Sequence, residues 1–180
     1  MADQKTTALE QTRRLLEAQN TDSVEHERVW RGLAVSAGNL NIVVPITNVM
    51  ELAVCENITP VPLTKSWVRG LTNLRGQLVT VADLSVFVGA GETRLSRDAR
   101  IIVLADSGLN SCLLVNNVAG LKVFSEDQPQ GPVHDVSAEL IEFFSGSIEV
   151  DNESWLVMDV PALVANGKFR SPARVASLVR

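Results

Sequence analysis

The chain has 180 residues, of which 46% are hydrophobic and 21% charged, a composition that can bury a core and excludes disorder throughout its length. That length suits one domain, or two small ones with a shared core. A formal net charge of -5 without a long basic run disfavours nucleic-acid binding. No apolar run approaches the ~18 residues of a membrane span, so we expect a cytoplasmic protein without direct membrane insertion.

Residues 1–27 are a polar leader whose thin apolar stripe, Leu9 to Leu16, predicts at most a short N-terminal helix. The segments VWRGLAV and LNIVVPI flank Gly38-Asn39 and predict a β-hairpin. Further short β-branched runs predict strands: QLVTVADL, RIIVLA, CLLVNNV and WLVMDV. Helical periodicity is confined to LIEFF and PALVA, so the sequence predicts an all-β sandwich or barrel. Residues 169–180 are expected to be a solvated basic tail, although docking onto an acidic partner is an alternative.

An internal repeat runs through these segments. An aromatic-x-x-Gly motif is followed, thirteen residues after its glycine, by Asp83 in the first copy (WVRG) and by Asp159 in the second (FFSG). Upstream, Ile46, Val49 and Leu52 have the same spacing as Val115, Val118 and Leu121. The repeat favours two similar β-modules.

Few residues suggest chemistry. Asp83 and Asp159 could act as an acid–base pair, but each ends a strand before an apolar trio, which favours capping. Cys55 and Cys112 lie in apolar runs assigned to different modules and are interpreted as buried structural thiols. His134 has no evident partner, and Gly89–Glu92 lacks the Lys-Ser/Thr of a phosphate cradle. We therefore expect no enzyme, no metal and no cofactor.

The chain resembles the CheW family of bacterial chemosensory adaptors over about residues 28–168. The resemblance is carried by these motifs in this order: VPITNVMEL, NITPVPLTKSW, VRGLTNLRGQLVTVADLSVFVG, RIIVLADSGLNSCLLVNNVAGLKVF and FFSGSIEVDNESWLVMDV. It implies two intertwined five-stranded SH3-like β-barrels with a few short helices and no catalytic activity. The expected subdomains are residues 28–79 with 154–168, and residues 80–153.

The same resemblance implies partners and site residues. The partners would be the cytoplasmic tip of a methyl-accepting chemotaxis-type receptor and the regulatory domain of a CheA-like histidine kinase, with recruitment to membrane receptor arrays. A receptor-binding groove would contain Val49, Arg75, Arg100 and Val118, and kinase or receptor contacts would involve Glu51 and Gly70. A structural alternative for Arg75 is an ion pair with an acid across the barrel that holds the module junction.

The chain departs from the family pattern at Thr80, Arg100, Cys112 and Asn116. With the leader and the basic tail, these departures favour a specialised adaptor resembling the PilI proteins, in a system controlling type IV pili and twitching motility. A standard flagellar chemotaxis adaptor is the alternative within the family. Outside it, the alternative is a stand-alone regulatory or ligand-sensing β-module.

Overall fold

The computed structural model describes residues 28–105, 108–128 and 130–174, so the leader with its predicted helix and the last six residues lie outside the described residues. In chain order the strands are β1 Val29–Ala37, β2 Leu40–Pro45, β3 Val49–Val54, β4 Val68–Leu74, β5 Gln77–Asp83, β6 Arg100–Leu104, β7 Ser111–Val115, β8 Asn117–Ser125, β9 Phe144–Val150 and β10 Glu153–Met158. Short helices are α1 Leu84–Phe87, α2 Val160–Ala165 and α3 Gly167–Arg170, and 3-10 turns cover Ile46–Asn48 and Ala138–Phe143.

The strands form two five-stranded sheets, which confirms the predicted all-β fold. Barrel 1 has the order β8-β1-β2-β10-β9 and barrel 2 the order β3-β6-β7-β5-β4. Neighbours are antiparallel except the parallel pairs β2–β10 and β5–β7. In each barrel, an isolated β-bridge joins the loop that follows one edge strand to the edge strand on the other side. The bridge pairs Thr59 with Leu71 of β4 in barrel 2, and Gly131 with Ser147 of β9 in barrel 1. The predicted β1–β2 hairpin is confirmed, with Gly38 at φ +61° in its turn.

The internal repeat is the structural repeat, and its halves exchange strands. Strands β1 to β5 of the first half correspond in order to strands β6 to β10 of the second half. When each strand is exchanged with its counterpart, the strand order of one sheet becomes that of the other. The first two strands of each half therefore belong to one barrel and the last three to the other, which makes the barrels intertwined.

The predicted subdomain boundaries are wrong in their assignment of strands. Barrel 1 consists of strands within residues 29–45 and 117–158, and barrel 2 of strands within residues 49–115. The physical reason is that the chain crosses between barrels at the apolar steps of the repeat, Ile46 to Val49 and Val115 to Val118. A boundary at residue 79 would instead cut β5.

Three apolar clusters explain why the central strands are apolar almost throughout. Ile42 and Val44 of β2 pack into a core shared by the two barrels, whereas Val43 between them faces a smaller cluster inside barrel 1. In β7, Leu113 faces the shared core and Leu114 the interior of barrel 2. Because side chains alternate along a strand, burial on both faces requires a continuous apolar run.

The folded chain continues beyond the predicted end at residue 168. Phe169 is buried and stacks on Trp67, with ring centroids 5.4 Å apart. The Arg174 amide donates to the Leu63 carbonyl at 2.8 Å. A solvated tail starting at residue 169 is therefore wrong, because this segment packs on barrel 2 as far as it is described.

Candidate functional site

The hairpin between β4 and β5 presents Arg75 at its tip. Arg75 and Gly76 both have positive φ, +52° and +84°, as a type I′ turn requires. The Asn73 side chain supports this turn by accepting from the Gly76 amide at 2.8 Å. The Arg75 side chain is 80% exposed, and its Nη2 donates to Glu51 Oε1 at 2.8 Å.

The Arg75–Glu51 pair connects the β4–β5 hairpin to β3, the opposite edge of barrel 2. The alternative interpretation of Arg75 is thus partly confirmed, because the arginine does pair with an acid across the barrel. The pair does not hold the junction of the modules, because both residues belong to barrel 2.

The equivalent hairpin of barrel 1 carries the opposite charge. Asp151 and Asn152 form its tip, also at positive φ (+54° and +65°). The Asp151 Oδ2 atom lies 3.8 Å from Nζ of Lys122, which is on β8, the strand equivalent to β3. The two barrels are therefore alike in backbone and reversed in charge at this position.

The edge strands β3 and β8 carry equivalent apolar stripes that begin at the predicted groove residues. Val49 and Val118 are half-buried against the shared core. Beyond them, large apolar side chains are exposed: Leu52 and Val54 on β3, and Leu121 and Val123 on β8. Each stripe ends beside an arginine of the neighbouring strand, Arg100 opposite Val54 and Arg31 opposite Val123.

Met50 was missed by the sequence reasoning. A register shift in the β3–β6 pairing falls between Val49 and Glu51, and Met50 is the unpaired residue, 66% exposed. The corresponding shift in barrel 1 leaves Ala119 unpaired. A β-bulge re-aims a side chain, so Met50 stands outside the strict alternation that sequence patterns detect.

The predicted site residues are divided between the two barrels. Val49, Glu51, Arg75 and Arg100 all belong to barrel 2, and Val118 to barrel 1. Arg100 directs one guanidinium nitrogen to the carbonyls of Arg97 and Ala99, at 2.6 and 2.8 Å.

Gly70 is buried and has φ +144°. A Cβ added there would lie 2.2 Å from the Thr59 carbonyl oxygen. In the second copy, a Cβ on Gly146 would meet the Gly131 carbonyl oxygen at 3.1 Å. The glycine of the repeated aromatic-x-x-Gly motif thus lets two backbone segments come close together beside the β-bridge that closes each barrel.

Both repeated aspartates cap the following helix, as predicted. Asp83 accepts from the Val86 amide at 3.3 Å and Asp159 from the Ala162 amide at 2.9 Å. Asp83 is also fully buried and accepts from the Thr93 amide and hydroxyl, at 3.0 and 2.7 Å. This second role was not foreseen, because Thr93 is a loop residue without a pattern.

Polar contacts extend from this loop to barrel 1. Ser85 Oγ lies 2.9 Å from Thr93 Oγ1 and donates to Asn116 Oδ1 at 2.7 Å. Asn116 Oδ1 also accepts from the Gly38 amide at 2.7 Å, in the β1–β2 turn. Asn116, where the sequence predicts a departure from the family pattern, therefore lies in a contact between the barrels.

The two cysteines lie in one barrel, which corrects their assignment to different modules. Cys112 is on β7, and Cys55 follows β3 and packs on the same interior cluster of barrel 2. Burial, assisted by the neighbouring Cys55, raises the pKa of the Cys112 thiol to about 12. Burial also raises the pKa of Cys55, and the positive charge of Arg69 reduces this shift without cancelling it.

His134 does have partners, contrary to the sequence-based interpretation. Its Nδ1 lies 2.7 Å from Asp135 Oδ2 and its Nε2 lies 2.7 Å from Ser154 Oγ. These contacts fasten the β8–β9 loop to β10.

Within the described ranges, no three His, Cys, Asp or Glu residues are grouped so as to hold a metal ion. No helix in the part of the chain that the structure covers is long and apolar enough to span a membrane.

Two alike barrels with a shared core and exposed apolar edge strands form the architecture of a binding scaffold. The CheW-like domain matches residues 31–168, and the chain belongs to this family. It is 29% identical to Protein PilI of Pseudomonas aeruginosa over 140 residues, 78% of each chain. It is 33% identical to Protein FrzA of Myxococcus xanthus over 85 residues, 47% of this chain and 53% of that protein.

A solved structure shares the fold. The crystal structure of scaffolding protein TtCheW from Thermoanaerobacter tengcongensis superposes with a TM-score of 0.67 at 24% sequence identity. The superposition covers 76% of this chain and 88% of that one.

Proposed function

We propose that this protein is a non-catalytic adaptor that couples the cytoplasmic tip of a methyl-accepting chemoreceptor to a CheA-type histidine kinase. The pathway is one that controls type IV pili and twitching motility, and the adaptor works in the cytoplasm at membrane receptor arrays. The observation that carries the proposal is membership of the CheW-like family, together with similarity to PilI along 78% of both chains.

The surface of the edge strands supports this role. The stripe from Val49 to Val54 can receive the apolar ridge of a receptor helix. The exposed Arg75, adjacent on the hairpin tip, can exchange its Glu51 partner for a carboxylate or carbonyl of the incoming chain, which would fix the register of that chain. Such a contact buries less than ~1,200 Å² and is weak, so strength comes from multivalent arrays.

The direct test is titration calorimetry of the full chain with two purified fragments from the same pathway, a receptor tip and the kinase regulatory domain. We expect each to bind with a Kd on the order of 10 µM. Absence of binding for both fragments would rule out the adaptor function.

The stripe can be tested with a matched pair of variants. Leu52→Glu places a charge in the β3 stripe and should weaken receptor binding about tenfold or more. Ile141→Glu is the control, because Ile141 is exposed to a similar degree, 44% against 43%, but lies on a 3-10 turn outside both stripes. Equal losses in the two variants would exclude the stripe as the receptor site.

A further inference from the structure

The apolar stripe on β8 continues onto β1 and forms a patch on the surface of barrel 1. Leu121 and Val123 are 55% and 60% exposed, and Val29, the first residue of β1, is 47% exposed. Arg31 is directly opposite Val123 in the antiparallel pair, so the two side chains lie on one face of the sheet. Alternate residues of a strand share a face, which adds Val29 and Leu121 to it. These three apolar side chains, with Arg31 beside them, are the β8 patch.

The charge on the β8 patch is positive. Arg31 is exposed and forms no ion pair with any other residue that the structure describes. Lys122, between the two apolar residues of β8, points to the opposite face, where its Nζ lies 5.2 Å from the ring centroid of Trp155. An occupant that complements the patch therefore combines apolar side chains with carboxylates.

The leader of this chain has that chemistry. Within residues 8–16, the apolar and small side chains recur at the three-, four- and seven-residue spacings that share one face of a helix: Ala8, Leu9, Thr12, Leu15 and Leu16. Two helical turns separate Leu9 from Leu16, about 10 Å, which matches the length of the patch along β8. Residues 17–27 then contain four acids and no Lys or Arg: Glu17, Asp22, Glu25 and Glu27. This acidic segment complements Arg31.

The leader is also attached at the patch, because it runs directly into β1. Leu16 precedes Val29 by thirteen residues, and a flexible segment of that length has an end-to-end distance of about 20 Å. Val29 pairs with Ser125, four residues from Leu121, so the far end of the patch is about 14 Å away along the strand. The tether therefore reaches the patch without strain. At this separation its effective concentration is in the millimolar range, so even a weak contact is well occupied.

Barrel 2 provides an internal comparison. Strand β6 is the counterpart of β1, and the segment that precedes β6 is tied elsewhere, because its Thr93 is bound to the buried Asp83 at the end of β5. Leu52 and Val54 on β3 are 43% and 58% exposed. The segment before β6 thus leaves the equivalent stripe of barrel 2 open.

We propose that residues 8–16 of the leader dock on the β8 patch as a short amphipathic helix, with the acidic segment 17–27 beside Arg31. The occupant is the chain's own leader. A helix of this length is marginal by itself, so its formation depends on the patch. The docked leader closes the stripe of barrel 1 and leaves the stripe of barrel 2 for a receptor helix. Only this last consequence rests on the adaptor function proposed above.

The first test places a nitroxide on the leader of the full chain. Ala18→Cys supplies the attachment site, two residues beyond Leu16 and off the apolar face of the helix. The background is Cys55→Ala, in which the remaining Cys112 is buried and protected from the label. The methyl signals of both stripes are then followed by NMR, with the reduced nitroxide as reference.

We expect the nitroxide to broaden the methyl signals of Leu121 and Val123 and to leave those of Leu52 and Val54 in barrel 2 sharp. The double variant Leu9→Ser/Leu16→Ser removes the apolar face of the leader and keeps the tether length. It should reduce the broadening about fivefold or more, because the nitroxide is then only loosely tethered.

The second test compares Leu121→Ser with Leu52→Ser, which remove equivalent exposed leucines of the two barrels. Hydrogen exchange of the amides of residues 8–16 is measured in each full-length variant. Leu121→Ser should raise the exchange rate about fivefold or more, since the helix loses its support. Leu52→Ser should leave the rate within about twofold of wild type.

Three outcomes overturn the proposal. Equal broadening of the two stripes, or leader exchange that is the same in both leucine variants, excludes docking on the β8 patch. Broadening that appears only between molecules, in a mixture of nitroxide-bearing chains and isotope-labelled chains, assigns the patch to a second copy instead of the leader. Neither test contains a receptor or a kinase, so the results stand whether or not the adaptor function holds.

Discussion

At the scale of single residues, Gly70 has a role that side-chain chemistry could not indicate. Its φ is +144°, and a Cβ added to Gly70 would lie 2.2 Å from the Thr59 carbonyl oxygen, so no side chain fits there. We expect Gly70→Ala to lower the free energy of unfolding by about 2–4 kcal/mol. Gly146→Ala should cost less, and Gly167→Ala, with no atom within 4 Å of the added Cβ, should cost least. Urea titration measures this order, and an equal cost at the three sites would contradict it.

The Cys112 thiol gives a second prediction at this scale. Its pKa is raised from 9.0 to about 12 in the folded protein, so the native state keeps its proton at pH values where the unfolded chain has lost it. The unfolded state then binds fewer protons, and stability falls as pH rises from about 9 to about 12. Cys112→Ala should flatten this part of the stability curve, as measured by urea titration at several pH values. An unchanged slope in the variant would assign the alkaline loss to other groups.

At the scale of elements, the two helix caps differ although their sequence contexts match. Asp83→Asn places an amide group against the Thr93 donors in a buried site, and we expect a cost of about 2–4 kcal/mol. Asp159→Asn keeps a good cap in a partly exposed position and should cost below about 1 kcal/mol. Thermal unfolding followed by circular dichroism compares the two. Similar losses would mean that the Thr93 contacts add nothing to the cap.

The β4–β5 hairpin provides a test that separates structure from binding. The Arg75–Glu51 pair is exposed, so Arg75→Ala should change the free energy of unfolding by less than about 1 kcal/mol. The same change should weaken coupling of receptor and kinase, measured as receptor-stimulated kinase activity in a reconstituted array. Lys122→Ala, which removes the oppositely charged pair of barrel 1, is the control. A large drop in melting temperature for Arg75→Ala would support the structural role instead.

Local features were predictable from the sequence because local geometry determines them. The β1–β2 hairpin, both aspartate caps and the equivalence of the turns at Arg75 and Asp151 follow from residues near one another in the chain. Contacts between distant loops were not predictable, since no periodicity marks them. His134 with Ser154, and Thr93 with Asp83, are the clear examples.

At the scale of the whole molecule, the repeat predicted two modules but not which strands each would contain. Strand periodicity is satisfied equally well whether each half forms its own barrel or the halves exchange strands. The exchange appears only in long-range pairings, such as the parallel contact of β10 with β2. The predicted groove residues Val49 and Val118 lie at the start of equivalent strands of the two barrels for this reason.

The exchanged strands and the shared core make the two barrels one rigid scaffold, and this is the physical basis of an adaptor. A rigid body with separated surfaces can hold two partners at once, whereas a protein with one surface must release the first partner to bind the second.

The most direct measurement is therefore sedimentation of the full chain with the receptor-tip fragment and the kinase regulatory domain together. We expect a ternary complex, and saturation with either fragment should not reduce the affinity for the other by more than about twofold. Mutually exclusive binding, in which one fragment displaces the other, would contradict a bridging adaptor.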